Sequence, residues 1–315
     1  MNSKFCSILL LLIVITNFST EGQYFHFSDL HENLYKLNPS YASNVEKLSL
    51  QLLYRNQWPG LSDFITYDAS IILSSERYKS STGAYIFRDT QGGGIINNTG
   101  FSLLYAYKTR INRDIFFSAG INAALQIYRT NFSGLVLENG QSPAAEDKSV
   151  YKPEFSVGIN IDLQGKTNFG ISLSQLSSIY TRGPMNDGMR YTVSYCGSFV
   201  TNRGYSRNTI IVEPIVYASA SRVYNELVYG GRVNISGLTG GLYARQNLGF
   251  QFDALIILLG IQLGNMRLFY TYDLNLSGTS ARFSNLAAHE VTFLYNLEYK
   301  RKTKKRRGAI KCPDI

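Results

Sequence analysis

The chain of 315 residues has 31 Lys or Arg against 22 Asp or Glu, a formal net charge of +9, yet only 17% of its residues are charged. Its 23 Tyr and 18 Phe against 7 Pro exclude a disordered protein, because disordered chains are rich in Pro and charge and poor in aromatic residues. Three Cys exclude a disulfide scaffold, and no apolar run reaches the ~18 residues of a membrane-spanning helix.

Residues 1–22 have the pattern of a secretory signal peptide. A Lys near the start precedes a short apolar core, Ile8 to Ile15, and small and polar residues follow the core. Gly22 suits the position before a cleavage site, which predicts cleavage before Gln23. The core is too short to span a bilayer, so we expect a cleavable export signal and not a membrane anchor.

The stretch 23–45 lacks strand alternation, and we expect it to form an N-terminal periplasmic segment. From Leu48 onward the dominant period is two, which is typical of strands with one apolar and one polar face. The pattern predicts about fourteen strands: 48–54, 64–73, 83–88, 100–107, 114–128, 154–163, 168–174, 189–200, 208–218, 223–229, 237–244, 252–262, 267–275 and 290–299.

Three features favour a membrane barrel over a soluble sandwich. The polar faces are rich in Ser, Gly, Asn and Thr, whereas a soluble barrel fills its interior with apolar side chains. Tyr and Phe cluster toward strand ends, as interfacial girdles do. The longest connections, 129–153, 175–188 and 276–289, follow strands five, seven and thirteen, and long extracellular links follow odd strands. The sequence therefore predicts an all-β fold, an antiparallel transmembrane β-barrel over 46–299.

Charged residues fall on the polar faces of several predicted strands. Asp68, Glu154, Asp162 and Arg190 are examples, and all four are expected to point into the lumen. Such charges either line an open pore or pair with one another inside a closed barrel. The sequence leaves both alternatives open.

Residues 300–315 form a basic tail with eight cations and one Asp, a net charge of +7 that leaves +2 for the rest of the chain. Basic runs of this kind are often solvated appendages. An even strand count returns the C-terminus to the periplasm, so our hypothesis is that the tail docks on an acidic periplasmic partner or an anionic lipid headgroup. Export disfavours nucleic acid as a partner. The proposed docking residues are Lys300, Arg301, Lys302, Lys304, Lys305, Arg306 and Arg307.

The sequence offers little support for catalysis, a metal or a cofactor. Gly165-Lys166-Thr167 lacks the earlier Gly of a phosphate-binding loop, since residue 160 is Asn. Three His do not form a ligand cluster, and no G-x-S-x-G nucleophile motif occurs. We therefore expect no cofactor and no enzymatic activity, and an outer-membrane hydrolase that uses His289 remains the enzymatic alternative.

Several phrases together resemble one family. They are N-L-Y-K-L-N-P-S-Y-A at 33–42, Y-R-N-Q-W-P-G at 54–60, Y-T-Y-D at 270–273 and H-E at 289–290. The chain resembles the PorP/SprF family of type IX secretion system outer-membrane proteins of Bacteroidota. The matching motif residues are Asn38, Pro39, Arg55, Asn56, Gln57, Trp58, Pro59, Gly60, Tyr270, Tyr272, Asp273, His289 and Glu290.

The resemblance implies a role in protein transport. It implies an integral outer-membrane barrel, in contact with outer-membrane lipid, that assists secretion or surface attachment of passenger proteins such as gliding-motility adhesins. It also implies contacts with periplasmic lipoprotein or peptidoglycan-associated components of the type IX machinery, and no catalytic residues. The alternative is a diffusion porin or a channel for hydrophobic substrates, which shares every barrel feature. An open lumen favours that alternative, and a plugged lumen favours the secretion role.

Overall fold

The computed structural model describes residues 27–59, 64–132, 147–179, 188–201, 209–249, 251–276 and 287–297. The predicted signal peptide, Gly60 and the basic tail lie outside the described residues. The strands are β1 Leu48–Gln57, β2 Phe64–Ser75, β3 Ser80–Gln91, β4 Ile96–Arg110, β5 Ile115–Thr130, β6 Lys148–Leu163, β7 Thr167–Ser174, β8 Arg190–Gly197 with Phe199–Thr201, β9 Ile210–Ala220, β10 Asn225–Ile235, β11 Leu238–Gln246, β12 Phe252–Leu263, β13 Met266–Asn275 and β14 Ala287–Leu297.

The strands close into a single antiparallel barrel. Each strand pairs with the next one along the chain, and β14 returns to β1 with Leu48 opposite Leu297. Both segments of β8 pair with β9, so β8 is one strand interrupted at Ser198, and the barrel has fourteen strands. The predicted fold class is confirmed, and each of the fourteen predicted segments overlaps an observed strand.

The strands alternate between a lipid-facing apolar surface and an inward polar one. Outward Leu103 and Ile121 are 55% and 58% exposed, whereas inward Ser118 and Asn160 are fully buried. Leaving apolar surface in water costs about 25 cal/mol per Å², so an exposed band of this kind is stable against lipid and not against water. Within the described ranges, no helix has both the length and the apolar character needed to cross a membrane.

The two ends of the barrel differ in the length of their connections. The links after β10 and β12 are two residues each, 236–237 and 264–265. The links after β5, β7 and β13 are the long ones, as the sequence predicted. Outer-membrane barrels have short periplasmic turns and longer extracellular loops. The first residue of β1 and the last residue of β14 therefore lie at the periplasmic end.

The N-terminal segment lies inside the barrel. Helix α1 spans Leu30–Leu37 and is followed by a 3-10 helix, Pro39–Asn44. Side chains of residues 27–44, here called the plug, contact inward-facing residues of strands all around the barrel. The sequence predicted a periplasmic segment over 23–45, but the described part of it occupies the lumen, because its polar and apolar side chains find matching partners on the inner wall.

Candidate functional site

The 3-10 helix of the plug begins at the sequence motif Asn38-Pro39. The Asn38 side chain accepts a hydrogen bond from the Ser40 backbone N–H at 3.1 Å, which caps the helix, and Pro39 supplies the fixed φ that a first helical position favours. The Asn38 Nδ2 donates to the backbone carbonyls of Ile159 at 3.1 Å and Ile171 at 3.3 Å. One side chain thus both starts the helix and ties it to β6 and β7.

Three inward glycines, Gly120, Gly158 and Gly170, form the wall beneath this helix and are called the glycine platform. Gly120 pairs with Gly158 across β5 and β6, and Gly170 lies on β7 beside them. A Cβ on Gly120 would lie 2.4 Å from the Pro39 carbonyl carbon, and one on Gly158 would lie 2.0 Å from Asn38 Oδ1. Any larger residue here collides with the plug. The plug can therefore pack against this wall only because these three positions have no side chain.

The opposite wall of the lumen is apolar and packs against the helix. Leu30 and Leu34 occupy one face of α1, four residues apart, and both are buried. The residues they join in one core cluster are Tyr41, Ile215, Tyr217, Val228, Tyr243, Ile256, Leu258, Phe269 and Leu294. The sequence predicted a mostly polar lumen, but the wall from β9 to β14 carries this apolar core because the plug covers it from water.

A buried ion cluster holds the N-terminal end of the plug. Arg55 of β1 contacts Asp273 of β13 at 3.0 Å and Glu290 of β14 at 3.3 Å. Glu290 accepts hydrogen bonds from the backbone N–H groups of Ser28 at 2.9 Å and Asp29 at 3.1 Å, and Arg55 also donates to the Ser28 hydroxyl. The three charged residues come from three of the sequence motifs, and the barrel brings them together around the plug.

Two further charged contacts fix the helix itself. The Glu32 carboxylate forms an ion pair with Arg232 at 2.9 Å. It also accepts two hydrogen bonds from the Arg267 guanidinium group, at 2.9 and 3.1 Å. Lys36 contacts Asp68 at 2.5 Å, and both side chains are almost fully buried. Buried pairs of this kind lock an arrangement in place, because removal of one partner leaves an uncompensated charge.

The buried carboxylate of Asp29, at the start of the helix, has few partners that would balance its negative charge. Neither of its oxygens accepts a hydrogen bond from a described residue, and Arg232 approaches only to 3.9 Å. Burial raises the pKa of the Asp29 carboxyl to about 7 against the pull of Arg232. Burial also acts to raise the pKa of Glu32, but Arg267 and Arg232 outweigh it, and that pKa is lowered.

Three of the lumen charges whose role the sequence left open form ion pairs. Asp68 contacts Lys36, Asp162 contacts Lys108 at 2.8 Å, and Glu154 contacts Lys152 at 3.3 Å. Arg190 points inward and is buried. Asp68, Asp162 and Glu154 are therefore paired inside the barrel, which is the second of the two alternatives that the sequence left open.

The remaining described motif residues lie at the end of β1 or face outward. Asn56 and Gln57 end β1, and Trp58 and Pro59 follow, with the Trp58 ring edge-on to Phe64. Tyr270, Tyr272 and His289 face outward, and the Tyr270 hydroxyl lies 2.7 Å from His289 Nδ1. Within the described ranges, no group of His, Cys, Asp and Glu is arranged to hold a metal ion.

A cavity of about 710 Å³ remains on the periplasmic side of the plug. Residues at both termini of the barrel, Leu48 and Leu297, contribute to its walls, as do Glu32 and Arg267. The cavity leads from the periplasmic end up to the plug. The lumen is therefore accessible from the periplasm for part of its length.

Sequence reasoning identified some of this site and missed the rest. Ser28, Lys36 and the glycine platform were not predicted as functional. The signal for the platform was present, since Gly120 and Gly158 occupy polar-face positions of otherwise clear strands. Gly within a strand often marks a bulge, a tight bend or a place where another backbone approaches closely, and here it marks the last of these.

These features define a class: a transmembrane β-barrel whose own N-terminal segment fills the lumen. The family model of the type IX secretion system membrane protein PorP/SprF matches residues 19–295. The chain belongs to the PorP/SprF family, as the sequence motifs predicted. Fold and family together indicate the outer membrane as its location.

Solved structures of outer-membrane barrels are similar to this chain at low sequence identity. Omp33 of Acinetobacter baumannii is 6% identical, with 80% of this chain and 98% of that chain covered and a TM-score of 0.48. The toluene transporter TodX of P. putida is 10% identical, with 84% and 93% covered and a TM-score of 0.46. A FadL homologue of Pseudomonas aeruginosa is 9% identical, with 82% and 92% covered and a TM-score of 0.41. No curated protein matches the chain.

Proposed function

We propose that this chain is a non-enzymatic component of the type IX secretion system that assists secretion or surface attachment of passenger proteins. It does so through contacts with the passengers and with periplasmic machinery, and not by passing solutes through its lumen. The observation that carries the proposal is the plug, whose contacts reach inward-facing residues all around the barrel. A diffusion porin needs a continuous aqueous path instead.

Opening such a path would require breaking buried charge pairs. Withdrawal of the plug separates Lys36 from Asp68 and Glu32 from Arg232 and Arg267. It also exposes Leu30 and Leu34, whose burial stabilises the closed state by roughly 1.5–3 kcal/mol each. The closed state is therefore the resting state in this proposal.

Conductance in planar lipid bilayers tests the closed lumen. The purified full chain should insert without a steady open current, and a variant lacking residues 27–44 should conduct. If the full chain shows a steady open pore, the diffusion porin is the better assignment. Because the deletion variant can fail to fold, Gly120→Val serves as a second way to displace the plug, and heat-modifiable gel mobility reports whether each barrel is folded.

The periplasmic contacts are proposed for the basic tail, which follows a strand that ends at the periplasmic side. Cations near an anionic surface each contribute about 1 kcal/mol, an attraction that salt weakens. Deletion of residues 300–315, or replacement of its cations by Gln, should leave the barrel inserted and reduce pull-down of periplasmic type IX components. Unchanged pull-down and unchanged passenger secretion would show that the tail is only solvated.

A further inference from the structure

One row of cross-strand neighbours crosses the outer surface of the barrel. The strand pairings join Tyr270, Val291, Tyr54, Tyr67, Arg88, Thr99, Ile127 and Tyr151 in this order. Four of the eight are Tyr, and each of these phenol rings is well exposed on the lipid-facing side. Tyr and Trp concentrate at the level where lipid chains meet headgroups. Because the strands of such barrels are tilted by about 35–45°, the row changes depth along its length. Tyr54, Tyr67 and Arg88 each lie three residues from the extracellular end of their strands, which places this part of the row near the outer-leaflet interface.

Arg88 is the one charged residue in this row. Its side chain is exposed and makes no ion pair with any residue that the structure describes. A cation on the lipid face costs roughly 2–4 kcal/mol at the midplane and about 0–1 near the interface. Arg88 therefore sits at a depth where it is tolerated and where lipid phosphates are within reach.

A groove lies directly on the membrane side of Arg88. The next outward row toward the membrane centre contains Phe293, Leu52, Ala69, Ile86 and Phe101, and Ala69 is the small member. The gap over Ala69 is part of a cavity of about 570 Å³ whose walls include Leu52, Tyr67, Ile86 and Arg88. The groove is apolar along its length and has its cation at the end that faces the headgroups.

We propose that this groove binds a phosphorylated, acylated glycolipid of the outer leaflet. One acyl chain lies over Ala69 between Leu52 and Ile86, and the phosphate is bound by Arg88. The guanidinium group suits the site because it donates two parallel hydrogen bonds to a phosphate. Thr99, the cross-strand partner of Arg88, and Tyr67, its partner on the other side, add hydroxyl donors at the same level.

Native mass spectrometry of the full chain, extracted from outer membranes in mild detergent, tests this site. We expect bound phosphorylated glycolipid on the wild type and at least a fivefold loss on Arg88→Gln, which removes the cation, and on Ala69→Phe, which fills the groove. Arg129→Gln is the matched control, since Arg129 is an exposed cation of β5 that does not line the groove. Heat-modifiable mobility confirms that each variant is folded.

A rebinding experiment distinguishes the phosphate from the acyl chain. Delipidated protein is exchanged into nanodiscs that contain lipid A or its dephosphorylated form. Wild type should prefer lipid A at least fivefold, and Arg88→Gln should show no preference. The proposal is overturned if Arg88→Gln retains as much glycolipid as Arg129→Gln, if only phospholipid is bound, or if dephosphorylation has no effect on the wild type.

Discussion

The two halves of the plug are held in the barrel by different physics. The 3-10 helix rests on the glycine platform through close backbone contacts and neutral hydrogen bonds, with Asn38 as its fixed point. Helix α1 is held by buried ions and by the leucine cluster on the opposite wall. The first anchor depends on the space that is left free by the missing side chains of the glycine platform. The second depends on complete pairing of charges, so each anchor has its own way to fail.

The largest expected effect is on the helix side, from Arg55→Met. The variant leaves Glu290 buried without a cation and deprives Asp273 of its nearer partner. Breaking a buried pair costs about 3–5 kcal/mol, and we expect the free energy of unfolding in detergent to fall by that amount. Hydrogen exchange should rise in residues 28–37 and stay slow in 38–44.

Arg129→Met is the matched control for Arg55→Met, because Arg129 is exposed and should tolerate the same change. The double variant Arg55→Met with Glu290→Gln should recover part of the loss, since it removes the uncompensated carboxylate. Equal exchange in both halves of the plug would contradict two separate anchors.

The next effect is on the platform side, from Gly120→Val. A side chain there meets the backbone of Pro39 and Ser40 at 2.4 Å, and the backbone cannot yield as a flexible side chain can. Overpacking of this kind costs about 1–3 kcal/mol. Exchange should rise first in residues 38–44, the reverse of the Arg55 result. Gly240→Val is the control, because a Cβ at Gly240 meets nothing within 4 Å.

A smaller effect is expected from Tyr41→Phe. The Tyr41 hydroxyl lies 3.0 Å from the Ser194 hydroxyl, and this buried bond ties the 3-10 helix to β8. The net contribution of one such bond is about 0.5–1.5 kcal/mol, so the thermal midpoint should drop slightly while the lumen stays closed. Conductance equal to that of Gly120→Val would show that the hydroxyl is as important as the platform for holding the plug.

The smallest effect concerns pH and the helix anchor. The pKa of Asp29 is raised to about 7 inside the lumen, where Arg232, Glu32 and Glu290 face it. A raised pKa means that Asp29 favours the docked plug when it is protonated and that this contribution is lost as pH rises through about 7. Once corrected for the intrinsic pH dependence of amide exchange, exchange in residues 28–37 should therefore increase between about pH 4 and 7 and level off above that, and Asp29→Asn should abolish this increase. A persistent increase in that variant would assign the dependence to another group.

The motif residues show how far the sequence leads into the site. Resemblance singled out Arg55, Asp273 and Glu290, and all three meet at the plug. The sequence did not show that they meet, because Arg55 and Glu290 are 235 positions apart and only barrel closure through β14 and β1 makes them neighbours. His289, adjacent in sequence to Glu290, faces the opposite side of the same strand.

The amino-acid sequence by itself determined the number of strands, their approximate bounds and the end at which the long loops lie. Alternation of apolar and polar residues is a local consequence of the two-residue repeat of a strand, so it is readable without knowledge of the partner strands. Only the tertiary structure decided that residues 27–44 fill the lumen and that they pack against the glycine platform. The reason is that the plug sequence has no repeating pattern that indicates its position. Its position depends on the inner wall of the barrel, which is assembled from strands far apart in the chain.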